Sequence, residues 1–403
     1  MSLDKIRLGE CCVSISDGDH LPPPKSEKGI PFITISNINS YNQIDFANTM
    51  FVPEDYYNKL DTKRKAQQGD ILYSVVGSFG IPILIKDNTK FVFQRHIAIL
   101  RPDKNVDSRF LYYKMLSREF YALADVAAIG AAQRTISLSA LRNMEITLPD
   151  IDTQKRIADI LSNYDNLIEN NQKQIKLLEE AAQRLYKEWF VDLHFPGYES
   201  ATITDGVPEG WKRGQAQDFF YITIGKTPPR VENQWFTKCE EGIPWISISD
   251  MGNNNAFIFT TSESLTYDAI QKHNVKIVPK GTVLLSFKLT VGRVSIASTE
   301  MCTNEAIAHF KVDDDNAREY LYCYLKNFHY DSLGSTSSIS KAINSKIVKA
   351  MPVVLPDNSM LEKFSKVVVP LFEQIFVKQK EIIKLTEARD RLLPKLMNGE
   401  IEV

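Results

Sequence analysis

The residues of this chain that could do chemistry are hydrogen-bonding groups, not bond-making ones. Adenine methylation would need an Asn-Pro-Pro-aromatic loop and a glycine-rich cofactor turn. The two proline runs, Leu21-Pro22-Pro23-Pro24 and Thr227-Pro228-Pro229-Arg230, lack the asparagine. There is no G-x-x-x-x-G-K-[ST] phosphate loop to drive an ATP motor, and no H-E-x-x-H zinc helix. No paired carboxylates precede a Glu-x-Lys in a nuclease-like setting. The five cysteines (11, 12, 239, 302 and 323) are scattered, form no CxxC, and read as reduced thiols of a cytoplasmic protein. A self-sufficient enzyme would need an acid cluster or a Cys/His pair, and none stands at useful spacing. These absences leave the sequence without a recognisable catalytic constellation of its own.

The elements that would position such groups come in two copies. Gly29-Ile30-Pro31-Phe32-Ile33-Thr34-Ile35-Ser36 returns as Gly242-Ile243-Pro244-Trp245-Ile246-Ser247-Ile248-Ser249, an offset of 213. Gly69-Asp70-Ile71-Leu72 returns at an offset of 212, Ile97-Ala98 at 210, and Leu148-Pro149-Asp150 at 207. After Asp150 the drift stops. Positions 157, 161, 164, 168, 171, 175, 178, 182, 185 and 189 form a heptad seam with steps alternating four and three. Adding 207 to each gives a second seam, Phe364 to Leu396. Loops accept insertions, whereas a seam in register does not.

Each half is therefore a globular unit followed by a helix of roughly 55–60 Å at 1.5 Å per residue. The expected organisation is a first globular domain at 1–150, a spacer helix at 151–190, a connecting loop at 191–211, a second domain at 212–357, and a second helix with its tail at 358–403. Short β-rich runs such as Asp70-Ile71-Leu72-Tyr73 and Thr282-Val283-Leu284-Leu285 are set between single helices at 110–116 and 320–325, which predicts an α+β class. Two helices that each follow a similar unit most simply pair antiparallel, as an intramolecular coiled coil with a pseudo-twofold internal repeat. Pro370 predicts a kink or break in the second helix. Asn171 is the polar break in the first seam and Lys378 its mate, which predicts a polar layer fixing helix-pair register.

An apolar fraction of 43% supports real cores, and no run of about 18 apolar residues suggests a membrane span. The net charge of −2 requires any positive surface to be local or shared with a partner.

With these residues laid out, the chain resembles the DNA-specificity subunit of a Type I restriction–modification system. The resemblance runs over essentially the whole length. It rests on Asp17-Gly18-Asp19-His20, Gly29-Ile30-Pro31-Phe32, Gly69-Asp70-Ile71-Leu72, Glu188-Trp189-Phe190, His194-Phe195-Pro196-Gly197, Val207-Pro208-Glu209-Gly210-Trp211, Gly225-Lys226-Thr227-Pro228, and the tail from Arg389 to Ile401. It implies two target-recognition domains, each reading half of a split double-stranded DNA sequence. The helices would serve as ruler and as docking site for two methyltransferase subunits, with restriction/translocase subunits joining. S-adenosylmethionine, ATP and Mg2+ would belong to those partners.

Base reading needs side-chain donors and acceptors that reach groove edges, and phosphate contact needs cations and backbone amides. The candidates in the first domain are Asp19, His20, Lys25, Ser78, Gln94, Arg95, Gln133 and Arg134. In the second they are Lys226, Arg230, Lys288, Arg293, Asn304, Ser340, Lys341 and Asn344. Each could equally be a solvated charge or a loop cap, and His20 a turn cap. Trp189 and Phe190 either cap the helix pair or face a partner. A coiled-coil protein–protein scaffold without DNA binding is the competing reading.

Overall fold

The computed structural model describes residues 4–20, 23–39, 41–131, 133–238, 241–253, 255–333 and 343–403. The chain folds into two compact units, Met1–Ile168 with Lys384–Val403, and Glu169–Ile383. The class is α+β, and the units repeat one topology.

In the first unit, strands Cys12–Asp17, Ile97–Pro102, Ile71–Ser74 and Pro82–Leu84 form an antiparallel sheet in that order. The middle strands are apolar at nearly every position because both faces are covered. Ile71, Tyr73, Ala98 and Leu100 face the helices Ser108–Leu116 and Arg118–Ala127 in one core. Leu72, Ile97 and Ile99 face a second core with Ile33 and Phe93, beside the smaller sheet of Met50–Val52, Ile30–Ile33 and Val92–Phe93. The strand Asp4–Arg7 pairs with Glu145–Leu148 and closes the unit.

The second unit repeats this. Tyr221–Ile224, Ile307–Lys311, Val283–Ser286, Val294–Ala297 and Phe257–Ile258 form the main sheet. Phe236–Thr237, Glu263–Leu265, Ile243–Ile246 and Cys302–Thr303 form the smaller one, and Lys212–Gln215 pairs with Pro352–Leu355. The helix Arg318–Asn327 covers the main sheet.

The first long helix spans Ile151–Tyr186 and the second Asn358–Met397. Each starts on an aspartate cap: Asp150 Oδ1 accepts from the Thr153 amide at 3.0 Å, and Asp357 Oδ1 from the Met360 amide at 3.0 Å. Gly399, at φ +73°, ends the second helix, and the Glu400 amide closes back onto the Lys395 carbonyl at 2.9 Å.

Within each unit the helices run antiparallel. In the first, Ile157 and Leu161 share a core with Leu393 and Leu396, and Asp165 meets Arg389. In the second, Asn171 meets Glu381, and Phe190 lies 5.0 Å from Phe364.

Two expectations are corrected. The second helix does not break at Pro370. Val368 and Phe372 on either side are fully buried, so packing holds the helix across the lost hydrogen bond. The mate of Asn171 is not Lys378. The buried Asn171 amide donates to Glu381 Oε2 at 3.1 Å, one turn further on, while Lys378 is half-buried. Seam spacing could not show this, because the second helix also packs on its own unit. There Phe372, one place off the seam, is buried against Tyr322 at 5.0 Å. Trp189 and Phe190 likewise turn inward, against Phe364, and cap the pair within the second unit.

Candidate nucleic-acid interface

Strand register decides which candidates meet. Asp17 is opposite Ala98 and Ser74 opposite Ile97, so residues 18–20, 75–80 and 94–96 leave the same end of the first sheet. Ile224 is opposite Ala308 and Ser286 opposite Ile307, so residues 225–230, 287–293 and 304–306 leave the matching end of the second. Residues 129–131 and 133–135 join the first cluster, since the Gly77 amide donates to the Arg134 carbonyl at 3.0 Å. This gathers Asp19, His20, Ser78, Gln94, Arg95, Gln133 and Arg134 in one unit, and Lys226, Lys288 and Asn304 in the other.

A glycine makes each crossing possible. A Cβ on Gly18 would sit 2.2 Å from the Phe93 carbonyl, and one on Gly225 would sit 2.0 Å from Thr303 Oγ1. The next residue seals the crossing. The Asp19 amide donates to the Phe93 carbonyl at 2.8 Å, and the Lys226 amide to the Thr303 carbonyl at 2.9 Å.

On this shared backbone the side chains differ. In the first unit Asp19 is buried and works as an anchor. It accepts from the Tyr56 hydroxyl and lies 4.0 Å from Arg64, which is also 3.9 Å from Asp17. His20 Nε2 turns back to Asp17 Oδ2 at 2.6 Å, as a turn cap does, while its ring stays half open to solvent. Arg134 binds Asp125 and covers the Phe79 ring at 5.1 Å, and that ring stacks on Tyr121 at 5.8 Å. Ser78, Arg95 and Gln133 are exposed and Gln94 half-buried. Lys25 is exposed on the segment that leads, through Ser26, to the smaller sheet.

In the second unit Lys226 and Lys288 are exposed. Arg230 lies over Phe236 at 3.9 Å and Trp245 at 4.7 Å, with Glu263 holding its Nη1 at 2.8 Å. Trp245 and Glu263 are opposite each other across two strands, so the sheet itself builds this seat. The seat is tied to the crossing loop, because Trp245 Nε1 donates to the Lys226 carbonyl at 3.3 Å.

Three second-unit candidates serve the fold. Arg293 Nη1 donates to the Ile248 carbonyl at 2.7 Å. Asn304 Oδ1 accepts from the Ala306 amide at 3.0 Å. Asn344 caps Ser345–Lys349, accepting from Lys346 and Ile347. Ser340 and Lys341 lie outside the described residues. Beneath the crossing, buried His309 bridges two hydroxyls, Thr223 Oγ1 at 2.9 Å and Thr303 Oγ1 at 2.6 Å. Burial, with Lys311 adding to it, lowers its pKa to about 3, so the ring is neutral.

The described residues of the site offer hydrogen bonding and cationic contact. Among the described residues no group of three or more His, Cys, Asp or Glu side chains could hold a metal ion. Burial pushes the Cys11 and Cys302 thiols up to about 12. Sequence reasoning missed Tyr56, Arg64, Trp245 and Glu263, since only folding brings them to the loops. It also missed Ser74 and Ser286, although they align at the repeat offset of 212.

The family model for the Type I restriction modification DNA specificity domain matches residues 5–180 and again 208–401. The chain is similar to the Type I restriction enzyme HindI specificity subunit of Haemophilus influenzae, 26% identical over 92% of this chain and 95% of that one. It is also similar to the MjaIX specificity subunit of Methanocaldococcus jannaschii, 27% identical over 93% and 87%. Among solved structures, the Type I restriction-modification S subunit from M. genitalium shares the fold, with a TM-score of 0.57 at 18% identity over 98% and 96% of the two chains. The chain belongs to the Type I restriction modification DNA specificity domain family and carries that domain twice.

Proposed function

We propose that this chain is the non-catalytic specificity subunit of a Type I restriction–modification complex. It binds a bipartite double-stranded DNA sequence, the first unit reading one half and the second the other. The long helices set the spacing of the halves and dock two methyltransferase subunits, to which restriction/translocase subunits are added. S-adenosylmethionine, ATP and Mg2+ act on those partners, in the cytoplasm.

One observation carries this reading. The two units hold one backbone crossing, at Gly18 and at Gly225, and dress it with different hydrogen-bonding side chains. A fixed frame with changed readers is what two unlike half-sites require, since frame contacts position and side chains specify. The acidic chain as a whole suits a subunit whose partners supply much of the phosphate contact.

The test is co-expression with a methyltransferase subunit and mapping of methylated adenines by long-read sequencing. A split motif, with one half changing when one unit is exchanged, is the expected result. Methylation at no split motif, or a motif unaltered by the exchange, overturns the reading. Salt-dependent retention of the complex on DNA separates it from a scaffold, which would show none.

A further inference from the structure

Residues 287–292 leave the second sheet beside Lys226 and Asn304. The neck of this loop is a buried serine. Ser286 Oγ donates to the Thr290 carbonyl at 2.5 Å and accepts from the Arg293 amide at 3.0 Å, and its carbonyl accepts from the Gly292 amide at 3.0 Å. The first unit builds the same neck on Ser74, whose Oγ accepts from the Ile81 amide at 2.9 Å and whose carbonyl accepts from the Gly80 amide at 3.0 Å.

Both loops need two left-handed residues. The second is glycine in each, Gly80 at φ +91° and Gly292 at φ +89°. The first is Gly77 at φ +72° in one unit and Leu289 at φ +62° in the other. A left-handed leucine is disfavoured by its Cβ, whereas glycine takes the same conformation freely. Leu289 is also 95% exposed, so no burial offsets the strain. The other non-glycine residues with positive φ among those described each have a reason. Asn42, Asp205 and Asn274 are types that tolerate it, and Leu193 packs on the cluster of Phe195 and Trp211. Leu289 has neither excuse in the free protein.

A strained, solvent-facing leucine, where the sister loop shows that glycine serves, calls for an apolar surface that arrives later. We propose that Leu289 is a specificity-determining residue that presses its side chain against a base of the second half-site, with Lys288 beside it drawn to phosphate. The apolar surfaces DNA offers are a thymine methyl in the major groove and the face of an unstacked base. This inference rests on the reading that this end of the sheet faces DNA.

The experiment compares the full chain with Leu289→Gly and Leu289→Asn, each in complex with the methyltransferase subunit, on duplexes carrying the motif mapped for the unaltered chain. Both variants relieve the left-handed strain, so the variant chains unfold at the same or a higher temperature. Binding weakens about tenfold, the scale of one lost base contact, and methylation relaxes at one position of the second half only. Replacing thymine by deoxyuridine in that half weakens the unaltered complex but not the variants if the methyl is the surface touched. A 2-aminopurine signal confined to the unaltered complex marks an unstacked base instead. Variants that bind and methylate like the unaltered complex at every position overturn the inference. An unaltered complex that methylates no split motif removes the reading beneath it, and this inference with it.

Discussion

Arg389 Nη1 donates to Asp165 Oδ1 at 2.7 Å, while the Tyr113 hydroxyl donates to Asp165 Oδ2 at the same distance. One carboxylate thus ties both long helices to the helix Ser108–Leu116 inside the first unit. Arg389 lies on the second seam, 207 residues after Ala182, and this contact gives the charged side chain its partner. The pair is a register lock of the kind expected of Asn171, whose own partner Glu381 is exposed.

Removing one member leaves the other charge largely out of water. Arg389→Met should therefore cost about 2–3 kcal/mol, somewhat below the range for fully buried pairs because both groups keep some solvent. The double change Arg389→Met with Asp165→Leu should recover part of that loss. Chemical unfolding of the four-member cycle measures the coupling, and a coupling near zero would show that the contact is incidental. Asn171→Leu should be close to neutral by the same assay.

The crossing glycines give a sharper functional forecast. A methyl group at either position meets backbone or a tightly held side chain within about 2 Å, which no rotamer relieves. Gly18→Ala should displace the Asp19–His20 loop and degrade recognition of one half of the methylated motif. Gly225→Ala should do the same to the other half through Lys226. Methylome mapping of the two variants reads this directly. Loss of both halves by either single variant would mean that the damage is global unfolding.

Much of this frame was legible beforehand because it repeats. The offsets announced a chain built of two similar copies, as the family model matches it at 5–180 and 208–401, and where the offset stays fixed the structure has the long helices Ile151–Tyr186 and Asn358–Met397, since a residue inserted in a packed seam turns the whole stripe away. The α+β class followed from short apolar runs, which the structure shows buried on both faces. The side-chain roles were less legible. Asp19, Arg293 and Asn344 have the chemistry of DNA contacts but spend it on Tyr56, on the Ile248 carbonyl and on a helix cap. Nothing local distinguishes a polar group used inward from one used outward. Arg64 and Glu263 went unseen for the converse reason, being distant in sequence from the loops they support.

His309 should give the second unit a pH signature. Its folded value of about 3 lies below the ordinary 6.5. Between these values the unfolded chain binds the extra proton, so the contribution is complete above about pH 6.5 and declines as pH falls toward 3. All four tryptophans, Trp189, Trp211, Trp235 and Trp245, belong to this unit, so their fluorescence reports its unfolding alone. Between pH 6.5 and 5, before most carboxylates titrate, stability should fall by about 1–2 kcal/mol. His309→Gln keeps hydrogen bonding to Thr223 and Thr303 without a titrating ring, and should flatten that slope. Equal slopes in the two proteins would assign the decline to other groups.

Arg230 offers the clearest separation of recognition from stability. Its guanidinium is stacked on Phe236 and Trp245 and pinned along one edge by Glu263, yet it remains about half exposed. A fork held this way keeps its other donors aimed outward at little further entropic cost, the arrangement that suits bidentate contact with guanine. Arg230→Lys keeps the charge but loses the planar fork. It should weaken binding to the cognate duplex by about tenfold and relax one position of the second half-site. The unfolding midpoint followed by tryptophan fluorescence should barely move, because the group is at the surface. Glu263→Gln frees the pinned edge and should show a smaller effect in the same direction. If Arg230 instead only braces the smaller sheet, Arg230→Lys lowers the midpoint and leaves the methylated motif unchanged.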